Sequence, residues 1–132
     1  MAEMLVTPDA EAAAVTFLRA KLGALADKVA TKVPSTMPNR MVKVSLTGGT
    51  RVNVATDTVQ LTVECWGPDE PTTSQLARTA QAHMFSAAWT SAGGVFVRRV
   101  DSVGGVQFFP DPDTTKPRYM FTVRWHVKPA KP

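Results

Sequence analysis

The chain has 132 residues and a mass of 14.3 kDa, with 44% hydrophobic and 20% charged residues, the balance of a single globular domain large enough for a conventional core. No apolar run approaches the roughly 18 residues that a membrane-spanning helix requires, and the lone Cys65 excludes an intrachain disulfide or a cysteine-clustered metal site. The formal charge of +4 is uneven: residues 1–92 hold eight cations and eight carboxylates, whereas residues 93–132 hold seven cations and three carboxylates.

The N-terminus, MAEMLVTPDAEAAAV, is acidic at Glu3, Asp9 and Glu11. It has neither a basic n-region nor a compact apolar h-region, so no secretory signal is expected and the protein is expected to stay in the cytoplasm where it is made. Thr7, Pro8 and Asp9 form a helix start, with Thr7 as the cap. Val15, Leu18, Leu22 and Leu25 follow at spacings of three and four, which predicts a helix over about 8–26. Residues 29–33 read as a short extended piece before Pro34, since proline moves its predecessor out of helical geometry, and Pro34 and Pro38 bracket an irregular crossing. From Met41 the period changes to two. Val42, Val44 and Leu46 alternate with Lys43 and Ser45, and Gly48 and Gly49 predict a hairpin turn, with Val52 and Val54 on the return arm. Val59, Leu61, Val63 and Cys65 then form the apolar face of a further strand.

Thr72 and Gln75 have capping-box spacing ahead of Leu76, Ala80, Met84 and Ala87, predicting an alanine-rich helix over about 73–91 that ends at Gly93 and Gly94. Residues 95–103 read as a strand, Gly104 and Gly105 as a tight turn, and Val106 to Phe109 as its return. Tyr119, Phe121, Val123, Trp125 and Val127 alternate with Arg118, Met120, Thr122, Arg124 and His126, the clearest period-two run, which predicts a central strand. The expected fold is α+β: two helices packed on one face of a mostly antiparallel β-sheet, in a single domain over 1–132 with a flexible tail at 128–132.

Catalytic candidates are few. The only histidines are His83 and His126, and a nucleophilic cysteine needs a base within hydrogen-bond reach. Alternation puts Cys65 on an apolar strand face and His126 on a polar one, so the two are expected to point apart, as a buried small hydrophobe and a surface histidine. His83, beside Met84 on a helix, reads as a structural or solvated side chain. Asp69 with Glu70, and Asp111 with Asp113, are the close acidic pairs, but each is flanked by prolines and lacks further oxygen ligands, so both read as turn residues rather than metal ligands. Trp66 and Trp89 read as packing beside the two ends of the second helix. The basic C-terminal region can meet phosphates or acidic protein neighbours, but no zinc-finger spacing, glycine-rich phosphate loop or arginine-rich run accompanies it. No enzymatic site and no cofactor is expected.

The stiff elements are better explained as contact devices. In FFPDPDTTKPR, the prolines Pro110, Pro112 and Pro117 lower the entropy lost on ordering, so Phe109, Asp111, Asp113, Lys116 and Arg118 are expected to be presented to a partner. The Gly48, Gly49, Thr50, Arg51 hairpin tip is a second candidate contact.

The helix start TPDAE, TKVP at residues 31–34, TGG at 47–49, LTVECWG at 61–67 and GGVQFFPDPDTTKPRYMFTVRWHVK at 104–128 together resemble the tail terminator proteins of long-tailed bacteriophages, especially those infecting actinobacteria. The resemblance implies a structural virion protein at the tail-neck junction. Such a subunit forms a homohexameric ring that caps the head-proximal end of the tail tube, stops its polymerisation and offers a surface for head–tail joining. Implied partners are other copies of the chain, the major tail tube protein, the head–tail connector or stopper protein and the tape measure protein, with DNA passing non-specifically through the lumen and no membrane. A head-completion stopper or adaptor shares this size and charge, and a small ligand-binding α+β domain is the third reading.

Overall fold

The computed structural model describes residues 4–132; Glu3, one of the three N-terminal acids, lies outside them. Helix α1 (Ala10–Leu22) continues into a 3₁₀ turn (Gly23–Leu25) and is followed by β1 (Lys28–Ala30), β2 (Met41–Asn53) and β3 (Thr56–Trp66), then by helix α2 (Glu70–Ser86), β4 (Thr90–Ala92), β5 (Val95–Phe108) and β6 (Arg118–Val127). The strands form one sheet in the order β1-β2-β3-β6-β5-β4. Only β1 and β2 pair in parallel; the other pairings are antiparallel. The fold is α+β, with both helices against one face of a mostly antiparallel sheet, and β6 is an interior strand as its strict alternation predicts.

The core lies between the helices and the apolar residues of the alternating strands. Leu18 and Leu22 of α1, and Leu76, Ala80 and Met84 of α2, meet Val44, Leu61, Val63, Phe121, Val123 and Trp125. Each large aliphatic or aromatic side chain so buried contributes about 1.5–3 kcal/mol. Trp125 sits edge-on to Phe17 with ring centroids 6.1 Å apart, and its indole N–H donates to the Met84 carbonyl at 3.2 Å, which satisfies its one polar atom in the core. Among the described residues no helix is long and apolar enough to cross a membrane.

Several expected boundaries move. Asp9, not Thr7, caps α1, accepting the Ala12 amide at 3.1 Å. Asp69, not Thr72, caps α2, accepting the Thr72 amide at 2.8 Å; in both cases a carboxylate two or three residues from the expected hydroxyl takes the exposed amides, to which it is the stronger acceptor. Gly48 and Gly49 do not turn the chain. They lie inside β2, next to an irregular register between Leu46 and Gly48, and a Cβ on Gly49 (φ 141°) would overlap the Thr58 carbonyl oxygen of the neighbouring strand. The hairpin turn is at Val54–Ala55, where the Asn53 side chain accepts the Ala55 amide at 2.8 Å. Gly104 and Gly105 likewise lie within β5, which runs to Phe108 along β6 with three register irregularities. Glycine permits a bulge as readily as a turn. The tail at 128–132 is not loose throughout: Ala130 and Val6 exchange two backbone hydrogen bonds of 2.8 Å, and the Lys128 amide donates to the Phe96 carbonyl at 3.0 Å.

Candidate functional site

The loop between β5 and β6 is fastened to the body of the protein by two of the residues expected to project. Asp111 Oδ2 accepts the indole N–H of buried Trp66 at 3.0 Å and Oδ1 accepts the Asp113 amide at 2.9 Å. That backbone bond, with the Trp66 bond and the nearby Arg118 charge, holds the Asp111 carboxyl below the usual carboxylate range. Arg118 donates to the Phe109 carbonyl at 2.9 Å and to Glu64 Oε2 at 3.1 Å, and its guanidinium lies 5.0 Å from the centre of the Phe109 ring. Asp111 and Arg118 are therefore internal clasps, because a buried indole N–H and a strand carboxylate lie within their reach. Lys116 Nζ is 3.5 Å from Asn39 Oδ1. The outward side of the loop consists of Phe109, Pro110, Pro112, Asp113 and Thr115, all exposed.

The second expected contact, residues 48–51, is mid-strand rather than a tip. Arg51 is committed to Asp57, with Nε–Oδ1 at 2.7 Å and an Nη–Oδ2 bond of 3.2 Å, and it also donates to the Leu5 carbonyl at 3.1 Å. Asp57 itself is fully buried. Thr50 exchanges backbone bonds of 3.0 Å with the Thr58 hydroxyl. The exposed tip of this hairpin is formed by Val52 and Val54 instead, and Val54 is 78% exposed.

The two tips lie at opposite ends of the sheet. β3 pairs with β6 from Asp57↔Val127 to Trp66↔Arg118, so the Val54 hairpin adjoins one end of β3 and the Phe109 loop adjoins the other. The eleven residues of β3 separate them by roughly 35 Å, at about 3.3 Å per residue. Phe108 and Phe109 are about half exposed at one end, and Val52 and Val54 are exposed at the other. Trp89, just beyond α2, belongs to the Val54 end, since its amide donates to Val97, the partner of Val127. It is 73% exposed and holds φ at 62°, a strained position for a bulky residue; it packs edge-on against Phe96, with ring centroids 6.0 Å apart, but most of its surface stays open, whereas Trp66 is buried.

Between the tips, the sheet face away from the helices is polar and already ordered. The hydroxyls of Thr47, Thr62 and Thr122 form a chain with two 3.0 Å contacts across β2, β3 and β6. Glu64 joins Lys43 and Arg118, and Asp101 joins His126 at 2.8 Å and Arg99 at 2.8 Å. The His126 bond and then the Arg99 bond lower the Asp101 pKa. Cys65 faces the helices, where burial pushes its thiol up, and His126 faces the opposite side, as alternation predicts. Among the described residues no three His, Cys, Asp or Glu side chains gather as metal ligands.

The chain matches no known protein-family model and no curated protein.

Val52 and Val54 read from sequence as the return arm of a turn at Gly48 and Gly49; they form the tip instead because β2 runs on past the glycines to Asn53. Nothing local marks Asp111 and Arg118 as clasps, since their partners Trp66 and Glu64 are more than 40 residues away in sequence.

Proposed function

We propose that the chain is a ring-forming subunit of a phage tail, a terminator that caps the head-proximal end of the tail tube. The observation that carries this reading is the pair of exposed apolar tips at opposite ends of one rigid sheet. A ring held between two other rings needs two axial contact surfaces facing away from each other, and grouped exposed apolar side chains, Phe108 with Phe109 at one end and Val52, Val54 and Trp89 at the other, mark such surfaces. The sides of the sheet suit neighbours within the ring. Its edge strands β1 and β4 are three residues each, so among the described residues most of β2 and β5 presents an edge without a strand partner, and a head-to-tail contact between unlike edges closes into a ring when the rotation allows. The resemblance in sequence supplies the phage tail and the sixfold number.

The test is to measure the mass of the purified protein by light scattering, then add it to polymerising tail tube protein and image the tube ends. Rings that sit on one end of each tube and halt its growth support the terminator. Binding to DNA-filled heads without binding to tubes would reassign the chain to a stopper or adaptor, and binding to neither would remove it from the neck altogether.

A further inference from the structure

Arg98 occupies the extra position of a β-bulge. Val97 pairs with Val127 and Arg99 with His126, so two steps of β5 oppose one step of β6, and Arg98 has no partner across the ladder. A bulge re-aims the side chain it carries. Here the side chain lines a cleft of about 470 Å³ together with Leu5, Val54, Ala55, Lys128, Pro129 and Lys131. Its Nε is buried and has no hydrogen-bond partner, the only buried side-chain nitrogen or oxygen among the described residues in that state. One Nη reaches only the Ala55 carbonyl oxygen, at 3.5 Å. A buried charged donor without an acceptor is destabilising, and such a group in a native structure calls for a ligand or another reason.

Because Nε is closed off from solvent, an acceptor that enters the cleft meets the Nη groups of Arg98, and the composition of the cleft indicates its chemistry. Among the described residues its ionisable lining side chains are all cations, and the remaining wall is apolar, formed by Leu5, Val54, Ala55 and Pro129. Three separate stretches of chain converge there: the N-terminal segment, the β2–β3 turn, and the C-terminal segment held by the Val6–Ala130 bridge. We infer that the cleft binds a carboxylate carried on an apolar protein segment, with the Arg98 guanidinium as a forked donor and the Lys128 ammonium as a second positive charge. A planar guanidinium matches a carboxylate with two parallel hydrogen bonds. A nucleic-acid strand fits less well, because among the described residues the cleft has no aromatic side chain on which a base could stack and its walls are aliphatic. The inference stands without the ring reading, since it requires only a peptide and one copy of the chain.

The experiment titrates the full ¹⁵N-labelled chain with the peptide acetyl-Leu-Glu-Val-Glu-amide while following the Arg98 Nε–Hε resonance. Its glutamine counterpart, inorganic phosphate and a short oligothymidylate are the comparison ligands. A saturable shift with the acidic peptide is expected, weakened about tenfold for the glutamine peptide and by about tenfold in Arg98→Gln and in Lys128→Ala, and unchanged in Arg99→Gln, whose guanidinium already pairs with Asp101. Tighter binding of oligothymidylate or phosphate than of the peptide would overturn the carboxylate assignment. Binding of the acidic peptide that leaves the Arg98 resonance unmoved, or no binding at all, would overturn the site. Lys128 is exposed, so that variant and the wild-type resonance decide the matter even if Arg98→Gln fails to fold.

Discussion

Asp57 points to the helix side of β3, fully buried, where an unpaired carboxylate would be strongly unfavourable. Arg51 reaches it from the neighbouring strand with two hydrogen bonds, the larger of the influences that hold its carboxyl below the ordinary value of 3.8; a bond from Thr7 adds to the effect. The folded pKa is thus depressed relative to the unfolded chain. The stabilisation is complete above about pH 4 and is lost as pH falls through the lower folded value. Arg51→Ala removes the partner and leaves the charge buried, so its melting temperature should fall by about 5–10 °C at pH 7. Because protonated Asp57 has no charge to compensate, the gap between wild type and variant should narrow as pH is lowered toward 2. A gap that is independent of pH would show that Arg51 acts through its bond to Leu5 rather than through Asp57.

Helix α2 shows how element ends are decided by the strongest acceptor nearby. Thr72 has the capping-box spacing, but in the fold it donates its amide to Asp69, and the Asp69 carbonyl accepts the Thr73 amide and hydroxyl at 3.0 and 2.6 Å. Pro71 falls within the first turn, where its missing N–H has no intrahelical bond to lose. Asp69→Ala should lower the melting temperature by about 3–5 °C, whereas Thr72→Ala should change it by less than about 1 °C. Faster amide exchange at Thr72 in the first variant and not in the second would locate the effect at the cap; equal effects would restore Thr72 as the capping residue. The β5–β6 loop follows the same logic: its prolines stiffen a segment that Asp111 and Arg118 also tie down from inside, so what it offers to a partner is Phe109 with the flanking prolines.

At the scale of the whole molecule, the Val54 and Phe109 tips are separate surfaces on one rigid body, joined by β3 and β6 with ten paired positions. If the tips serve different axial partners, their losses must separate. Val54→Ser should weaken one of the two contacts, tube or connector, by about tenfold and leave the other within about twofold, and Phe109→Ser should do the reverse, since truncating an exposed anchor typically removes one or two kcal/mol of binding. Both variants should melt within about 2 °C of wild type, because neither side chain contributes to the core. Binding to tubes and to heads can be read separately by sedimentation. A parallel loss in both assays from either variant would sink the two-surface arrangement.

The sequence alone determined the elements whose pattern repeats: the three-and-four spacing of Val15, Leu18 and Leu22, the alternation from Val59 to Cys65, and the alternation from Tyr119 to Val127. Those periods fix which face is apolar, and with the hairpin-like order they fix two helices on one side of an antiparallel sheet. They also separate Cys65 from His126. Only the tertiary structure decided what the glycines do. Gly48, Gly49, Gly104 and Gly105 permit a turn or a bulge alike, and the length of the partner strand settles which occurs. Only the fold, again, brings Asp111 to Trp66, Arg118 to Glu64 and Arg51 to Asp57, turning expected contacts into internal fasteners, and it places the Arg98 bulge beside Lys128. Periodicity records which face a side chain occupies, whereas the partner it meets there depends on strand register, which is set by pairing across the whole sheet.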